Sequence, residues 1–427
     1  MSNNDQMTID ERRKYLRMMQ KRYVKANSKR AKGHLLYEME AVTGLDRKTL
    51  IRLMNSRLER KPRSKQRGAI YGPDVDDALR VIYESWDYIC AERLTPNLVW
   101  MAQHLAAHDE LPVTPSLLEH LGQISISTVQ RRLIRITQDQ YRLPRPKPKP
   151  RHRLTQNIPM LRLPWNILEP GHFETDLVHH CGPRAIGEYA CTLQMIDVAT
   201  GWSERRAVLG RSYLVMEDAF RRILARLPFP MLQIHPDNGS EFFNHHMLRF
   251  WGQIVQGVTI SRSRPFRKND NPRVEQKNRT LVRAYLGHDR IDSVAQVLAL
   301  NALYDKMWIY YNFFQPVMHL VAKEVIRKDG QPTRVKRRHD QASTPFDRLC
   351  QTSAILPEDR LFLERLRNQI NPRHLREEIY DAIDDIFSLP SAAPDVTENV
   401  FLTLTENSEK ENDAISHLAF NRTTIQN

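Results

Sequence analysis

His172-Phe173-Glu174-Thr175-Asp176-Leu177-Val178 reads as a strand with apolar flanks and a carboxylate at its middle. Further along, the apolar run Met231-Leu232 leads through Ile234-His235-Pro236 to Asp237, followed at once by Asn238-Gly239-Ser240-Glu241-Phe242. Asn-Gly is a turn signal, so a strand that stops there holds Asp237 at the edge of its sheet. A third acid sits in Asn269-Asp270-Asn271-Pro272-Arg273-Val274-Glu275-Gln276-Lys277-Asn278. That stretch reads as a polar loop, a helix start near Pro272 and a Glu in the first turn.

The segments between the acids alternate strand and helix. Tyr189 to Asp197 is apolar or alternating and closes on Val198-Ala199-Thr200-Gly201-Trp202, and Ser203 to Val208 is the returning strand. Leu214 to Leu227 carries helical spacing through Val215, Ala219, Ile223 and Leu227 until Pro228 stops it. A helix over Phe242 to Phe250, a short strand near Thr259 and the helix of Glu275 complete the order.

The three acidic contexts resemble the D, D and E segments of the retroviral-integrase superfamily of DDE transposases, in the integrase-core form of stand-alone bacterial insertion sequences. The 61 residues from Asp176 to Asp237 and the 38 from there to Glu275 suit that family. The resemblance implies an α/β, ribonuclease-H-like catalytic core over residues 165–320. It further implies a polynucleotidyl transferase that cuts and joins DNA. Phosphodiester transfer spreads negative charge over phosphate oxygens, and two hard divalent cations about 4 Å apart can activate both the attacking and the leaving oxygen. Mg²⁺ takes oxygen ligands and keeps several waters, so Asp176, Asp237 and Glu275 suit it as catalytic and metal-holding residues, with Mn²⁺ able to substitute. Asp176 is assigned as the bridging ligand, Asp237 to one ion and Glu275 to the other. Asp197 lies beside a turn and is read as structural. In His179-His180-Cys181 adjacent strand residues point to opposite faces, which argues against a metal site there.

Composition agrees with a polyanion as partner. The 427 residues carry 64 Lys and Arg against 50 Asp and Glu, and the excess is localised. Residues 1–68 hold 19 basic and 7 acidic side chains, and residues 142–153 add six basic and no acidic ones, so the remainder is slightly acidic. A basic arm on a near-neutral body is the electrostatic footprint of a nucleic-acid binder, because neutralised phosphates release counterions. No apolar stretch is long enough to span a bilayer, the N-terminus lacks an apolar signal region, and the four cysteines form no Cys-x-x-Cys pair. The expectation is a bacterial cytoplasmic, nucleoid-associated protein without membrane contact, a disulfide framework or a zinc module.

Two helix-turn-helix patterns precede the core. In the first, within a basic module at residues 1–68, Leu35, Leu36, Met39 and Val42 form a stripe and Gly44 breaks the helix. Asp46 caps a second helix with Leu50, Leu53 and Met54 inward and Arg47, Lys48 and Arg52 outward. The second module, residues 69–141, turns at Gly122 and restarts after Ser127. Its Val129, Leu133 and Ile136 face inward, and Thr128, Gln130, Arg131, Arg132 and Arg135 are free to face a major groove. Residues 142–164 form a Pro-rich linker whose Arg145, Lys147 and Lys149 can track a phosphate backbone along an extended spacer.

Beyond the aromatic helix end at Trp308 to Phe314, residues 321–390 contain the basic run Arg334 to Arg338 and read as a C-terminal DNA-binding or oligomerisation region. Residues 391–427 are acidic and weakly periodic and read as a disordered tail. Lys277 and Arg279 are expected to hold a terminal phosphate. The resemblance thus implies a transposase that binds the terminal repeats of a mobile element as a homo-oligomer on double-stranded DNA and joins element ends to target DNA. A domesticated DNA-binding regulator without catalysis would use the same N-terminal modules.

Overall fold

The computed structural model describes residues 7, 9–56, 58, 71–136, 167–237, 239, 241–263, 271–326, 334–393, 396–404 and 418–425. It divides into two compact units, residues 1–70 and 71–427. The linker at 142–164, with Arg145, Lys147 and Lys149, lies outside the described residues.

The first unit contains α1 (Ile9–Lys25), α2 (Lys29–Thr43) and α3 (Arg47–Met54). Ser28 caps α2, Gly44 ends it at φ 66°, and Asp46 caps α3 by accepting the Thr49 N–H at 3.0 Å. Left-handed backbone suits glycine there. Leu16, Met19, Leu36, Met39, Leu50 and Met54 form its core. Val42 does not join the stripe expected of it and is exposed, whereas Thr43 is buried. Positions 36, 39 and 43 follow helical phase, and 42 falls off it.

The second unit opens with α4 (Pro73–Ser85), α5 (Ala91–Leu94), α6 (Leu98–Ala106), α7 (Pro115–Gln123) and α8 (Ile126–Ile136). Next come β1 (His172–His179), β2 (Ala190–Asp197), β3 (Ser203–Leu209), α9 (Tyr213–Arg226), β4 (Gln233–Pro236), α10 (His245–Arg249) and β5 (Thr259–Ile260). Then α11 (Pro272–Lys277) runs through a π-helical stretch, Asn278–Arg283, into α12 (Ala284–Leu286), and α13 (Val294–Ile309) follows. The chain closes with the strands β6 (Leu320–Ile326) and β7 (Arg334–His339) and the helices α14 (Pro345–Cys350), α15 (Pro357–Gln369) and α16 (Pro372–Ser388). The fold is mixed α/β, around a five-stranded sheet of order β3-β2-β1-β4-β5. The first three strands are antiparallel neighbours, and β4 and β5 add in parallel.

β3 lies at the sheet's edge yet is buried along its whole length. Two asparagines stand in for the missing neighbour. Asn301 of α13 accepts the Ala207 N–H at 2.8 Å and donates to its carbonyl at 3.1 Å, and Asn312 does the same for Ser203 at 2.9 and 3.0 Å. An open edge with unmet backbone groups would cost stability, and these amides close it. Glu204 on the same strand accepts from Trp202 and Trp308 and is ion-paired to Arg226, which also reaches Asp305. The aromatic helix end at 308–314 packs into this core: Trp202 meets both Trp308 and Phe313 edge-on.

Helices α4 to α8, read from the sequence as a module held off the core by a spacer, are built into the core's unit. Tyr310 donates to the Ser85 carbonyl at 2.7 Å, Gln315 to the Trp86 carbonyl at 3.0 Å, and Trp86 is fully buried. Parts of the supposed disordered tail are also structured. Phe420 donates its N–H to Ala225 O, Thr423 accepts from Met231 N, and Arg422 pairs with Asp359. An acidic, weakly periodic sequence does not reveal that its scattered apolar and hydroxyl groups have specific sites on a distant surface.

Candidate active site and nucleic-acid surface

Asp176 sits at the middle of β1 and, beyond His172, is the one residue of that strand not fully buried. The parallel register pairs Glu174 with His235 and Thr175 with Pro236, so the next step sets Asp176 beside Asp237. Adjacent strands lie about 4.8 Å apart, which brings the two acids side by side within the sheet, at the C-terminal end of β4. Asp237 follows β4 directly, and its side chain accepts the Gly239 N–H at 3.0 Å. Asp176 accepts from Leu177 N at 2.9 Å and from Asn278 Nδ2 at 2.6 Å. Glu275 is exposed, one turn before Asn278 on the helix that Asn278 continues. Among the described residues no three His, Cys, Asp or Glu side chains are gathered as an ion-holding group. Two neighbouring carboxylates nevertheless fit Mg²⁺, which completes its octahedron with water and substrate oxygens.

Sequence reasoning missed several residues around these acids. Glu174, two positions before Asp176 and on the same face, is completely buried and bonded to the start of α11. Its burial pushes its pKa up, against the pull of Arg273 and two backbone amides. Across the sheet, Asp176 faces Gln194 and Gln194 faces Arg205, a row of three polar groups on one face. Arg205 is 1% exposed, donates to the Met307 carbonyl at 3.1 Å and lies near the rings of Tyr304 and Tyr311. Burial brings its pKa down to about 10. Lys277 turns inward too, its ammonium 4.6 Å from the Tyr311 ring centre. Burial first, then the charges of Arg93 and Arg205, holds Lys277 well below the usual ammonium range. Arg205 from β3 and Lys277 from α11 therefore converge on the Tyr311 ring. The signal in the sequence was Glu174 inside an apolar-flanked strand pattern, where charge is costly unless partnered.

Other acids and histidines near the strands have structural work. Asp197 is buried and accepts from Gly171 N, Thr200 N and Thr200 Oγ at 2.8, 2.8 and 2.7 Å, which closes the turn after β2. His180 shares a hydrogen bond with Thr192 Oγ at 2.8 Å, and burial brings its pKa down to about 3.

Of the residues expected to meet DNA, Arg47, Lys48 and Arg52 are exposed on α3, with the Arg47 guanidinium 5.1 Å from the Tyr37 ring centre. On α8, Gln130, Arg131 and Arg135 are exposed. Arg132 is instead drawn back into an ion pair with Asp76 of α4 and a 2.7 Å bond to the Tyr71 carbonyl, and Arg135 also reaches Asp76. Arg279 is exposed, as are Lys336, Arg337 and Arg338 on β7. No helix among the described residues is long and apolar enough to cross a membrane.

No protein-family model matches the chain. It is 33% identical over 293 residues to the uncharacterized protein y4rM of Sinorhizobium fredii (strain NBRC 101917 / NGR234), which covers 68% of this chain and 83% of that protein. The chain belongs to the same family as that protein. Similar solved structures are retroviral integrases. The HTLV-2 integrase catalytic core domain in complex with magnesium has a TM-score of 0.27 and 19% identity, over 35% of this chain and 92% of that one. The BIV integrase catalytic core has a TM-score of 0.25 and 16% identity, over 34% and 86%. A simian T-cell lymphotropic virus intasome in complex with the PP2A regulatory subunit B56 gamma has a TM-score of 0.28 and 13% identity, over 51% and 69%. Likeness at this level carries no function by itself; the functional weight falls on the chain's own residues.

Proposed function

We propose that this member of the y4rM family is a DDE-type transposase that binds the terminal repeats of a mobile element and catalyses DNA strand cleavage and strand transfer. The observation that carries the reading is the register that sets Asp176 beside Asp237, with the helix of Glu275 bonded across to Asp176 through Asn278. Asp176, in register with Asp237 and bonded to the helix of Glu275, would be the bridging ligand. Asp237 would hold one ion and Glu275 the other. When bound, Mg²⁺ or Mn²⁺ supplies Lewis acidity to the attacking and leaving oxygens of a phosphodiester.

The remaining work falls to side chains. Asn278 orients the Asp176 carboxylate, and the buried Arg205 and the inward-turned Lys277 offset the negative charge that the acids bring together. The exposed cations of α3 and α8 provide recognition surfaces for double-stranded DNA, the first on its own compact unit. Hydrolysis by water followed by attack of the freed 3′-OH on target DNA needs no protein nucleophile. Two ends and one target are most simply served by a homo-oligomer on DNA, in a bacterial cytoplasm.

Replacing Asp176, Asp237 or Glu275 by Ala is expected to abolish cleavage and strand transfer while end-specific binding survives, measured on duplexes carrying the DNA that flanks the gene. Residual turnover above about one per cent in Asp237→Ala would overturn the assignment. Specific end binding by a wild-type chain that never cleaves would leave the regulator without catalysis as the reading.

A further inference from the structure

We propose that Glu174 is the positioning residue of this site: its carboxylate clamps the start of α11 onto β1 and so sets where Glu275 stands relative to Asp176. The inference rests on the metal-dependent role proposed for the three acids.

A completely buried carboxylate is costly unless every oxygen is met. Here Oε2 accepts the N–H groups of Arg273 and Val274 at 2.7 and 3.0 Å, and Oε1 takes the Arg273 guanidinium at 2.8 Å. These are backbone donors that a helix start leaves unmet, and an anion there also faces the positive end of the helix dipole. A second tether lies further along the same two elements, from Asn278 Nδ2 to Asp176. The spacings match. Two residues of strand advance about 6.7 Å. Four residues of helix, from Val274 to Asn278, advance about 6 Å. β1 and α11 therefore run in the same direction with two fastenings one helical turn apart, and Glu275 lies between them. Asn271, immediately before α11, is fastened to β4 as well, by its Nδ2 to the His235 carbonyl at 3.4 Å, two residues before Asp237. A glutamate at position 174 thus lets β1, which carries Asp176, also fix the place of the third carboxylate.

The test uses the full chain, with Glu174→Gln, Glu174→Asp and Arg273→Ala. Glu174→Gln keeps the volume but turns a donor toward donors. It is expected to bind DNA ends as the wild type does and to need at least about tenfold more Mg²⁺ for half-maximal cleavage, as outer-sphere partners of metal ligands do. Without metal, amide hydrogen exchange at Arg273 and Val274 should accelerate. Glu174→Asp keeps the charge and should recover part of the Mg²⁺ response. Arg273→Ala removes only the guanidinium arm and should give a smaller shift of the same sign, which keeps the clamp testable if position 174 does not tolerate change. Wild-type Mg²⁺ dependence in Glu174→Gln, or lost activity that only tracks the folded fraction, would overturn the clamp. Asp176→Ala separates the two levels: if it still cleaves, the metal-site reading fails, and if it is dead while Glu174→Gln behaves as wild type, only the clamp fails.

Discussion

Arg131 and Arg132 are neighbours on α8 with opposite tasks. Arg131 stands exposed, bonded to its own helix through the Ser127 carbonyl and Thr128 Oγ. Arg132 has a side chain 16% exposed and is committed to Asp76 and the Tyr71 carbonyl. If α8 reads DNA, Arg131→Ala should cost about 1–3 kcal/mol on the true site and relax preference at one base pair. Arg132→Ala should leave sequence preference intact and lower stability by about 1–3 kcal/mol, because Asp76 loses its more buried partner. Binding on matched and scrambled DNA, with thermal melting of each variant, checks both. A specificity change in Arg132→Ala without a fall in melting temperature would reverse the roles. Lys277 behaves like Arg132: its sequence context points it at DNA, and only the fold shows its ammonium turned toward the Tyr311 ring.

At the scale of elements, the least expected device is the edge of β3. A strand reading Ser203-Glu204-Arg205-Arg206 looks half-exposed by composition, yet all of it is buried. Its backbone edge is met by Asn301 and Asn312, and its charges by Arg226, by the Met307 carbonyl and by the aromatic rings of α13. Asn301→Leu would leave the N–H and carbonyl of Ala207 buried and unmet. The expected loss is about 2–4 kcal/mol of stability, from two unsatisfied backbone groups. Urea unfolding followed by tryptophan fluorescence measures it, and a change below about 0.5 kcal/mol would show that the edge is closed some other way. The helix caps, by contrast, were readable. Gly44 and Asp46 end and restart helices where local rules place them, because a cap is satisfied within a few residues.

The molecule as a whole divides at residue 70, and the helices from Pro73 to Ile136 belong with the sheet rather than before it. A fragment of residues 1–70 is therefore expected to fold alone around its own methionine-rich core, and to bind DNA with a steep salt dependence. A fragment starting at residue 154 should be insoluble or strongly destabilised, since it lacks the partners of Tyr310, Phe314 and Gln315 and bares that aromatic surface. One starting at residue 71 should be soluble. Circular dichroism and size exclusion of the three fragments decide the point, and a well-folded fragment from residue 154 would refute the shared core.

What the amino-acid sequence determined by itself was whatever is local. The strands carrying Asp176 and Asp237, the helix opening at Pro272, the hairpin between β2 and β3 and the basic N-terminal excess all come from period, turn residues and charge over short windows. The tertiary structure decided what each charge meets. Asp76 takes Arg132 from 56 positions away, Glu174 takes the amides of Arg273 and Val274 from about a hundred, and the end of the chain finds Ala225 and Met231. The physical reason is range. Periodicity and capping act within a few residues, whereas the partner of a buried charge is chosen by packing, which brings together groups whose sequence separation leaves no trace in either neighbourhood.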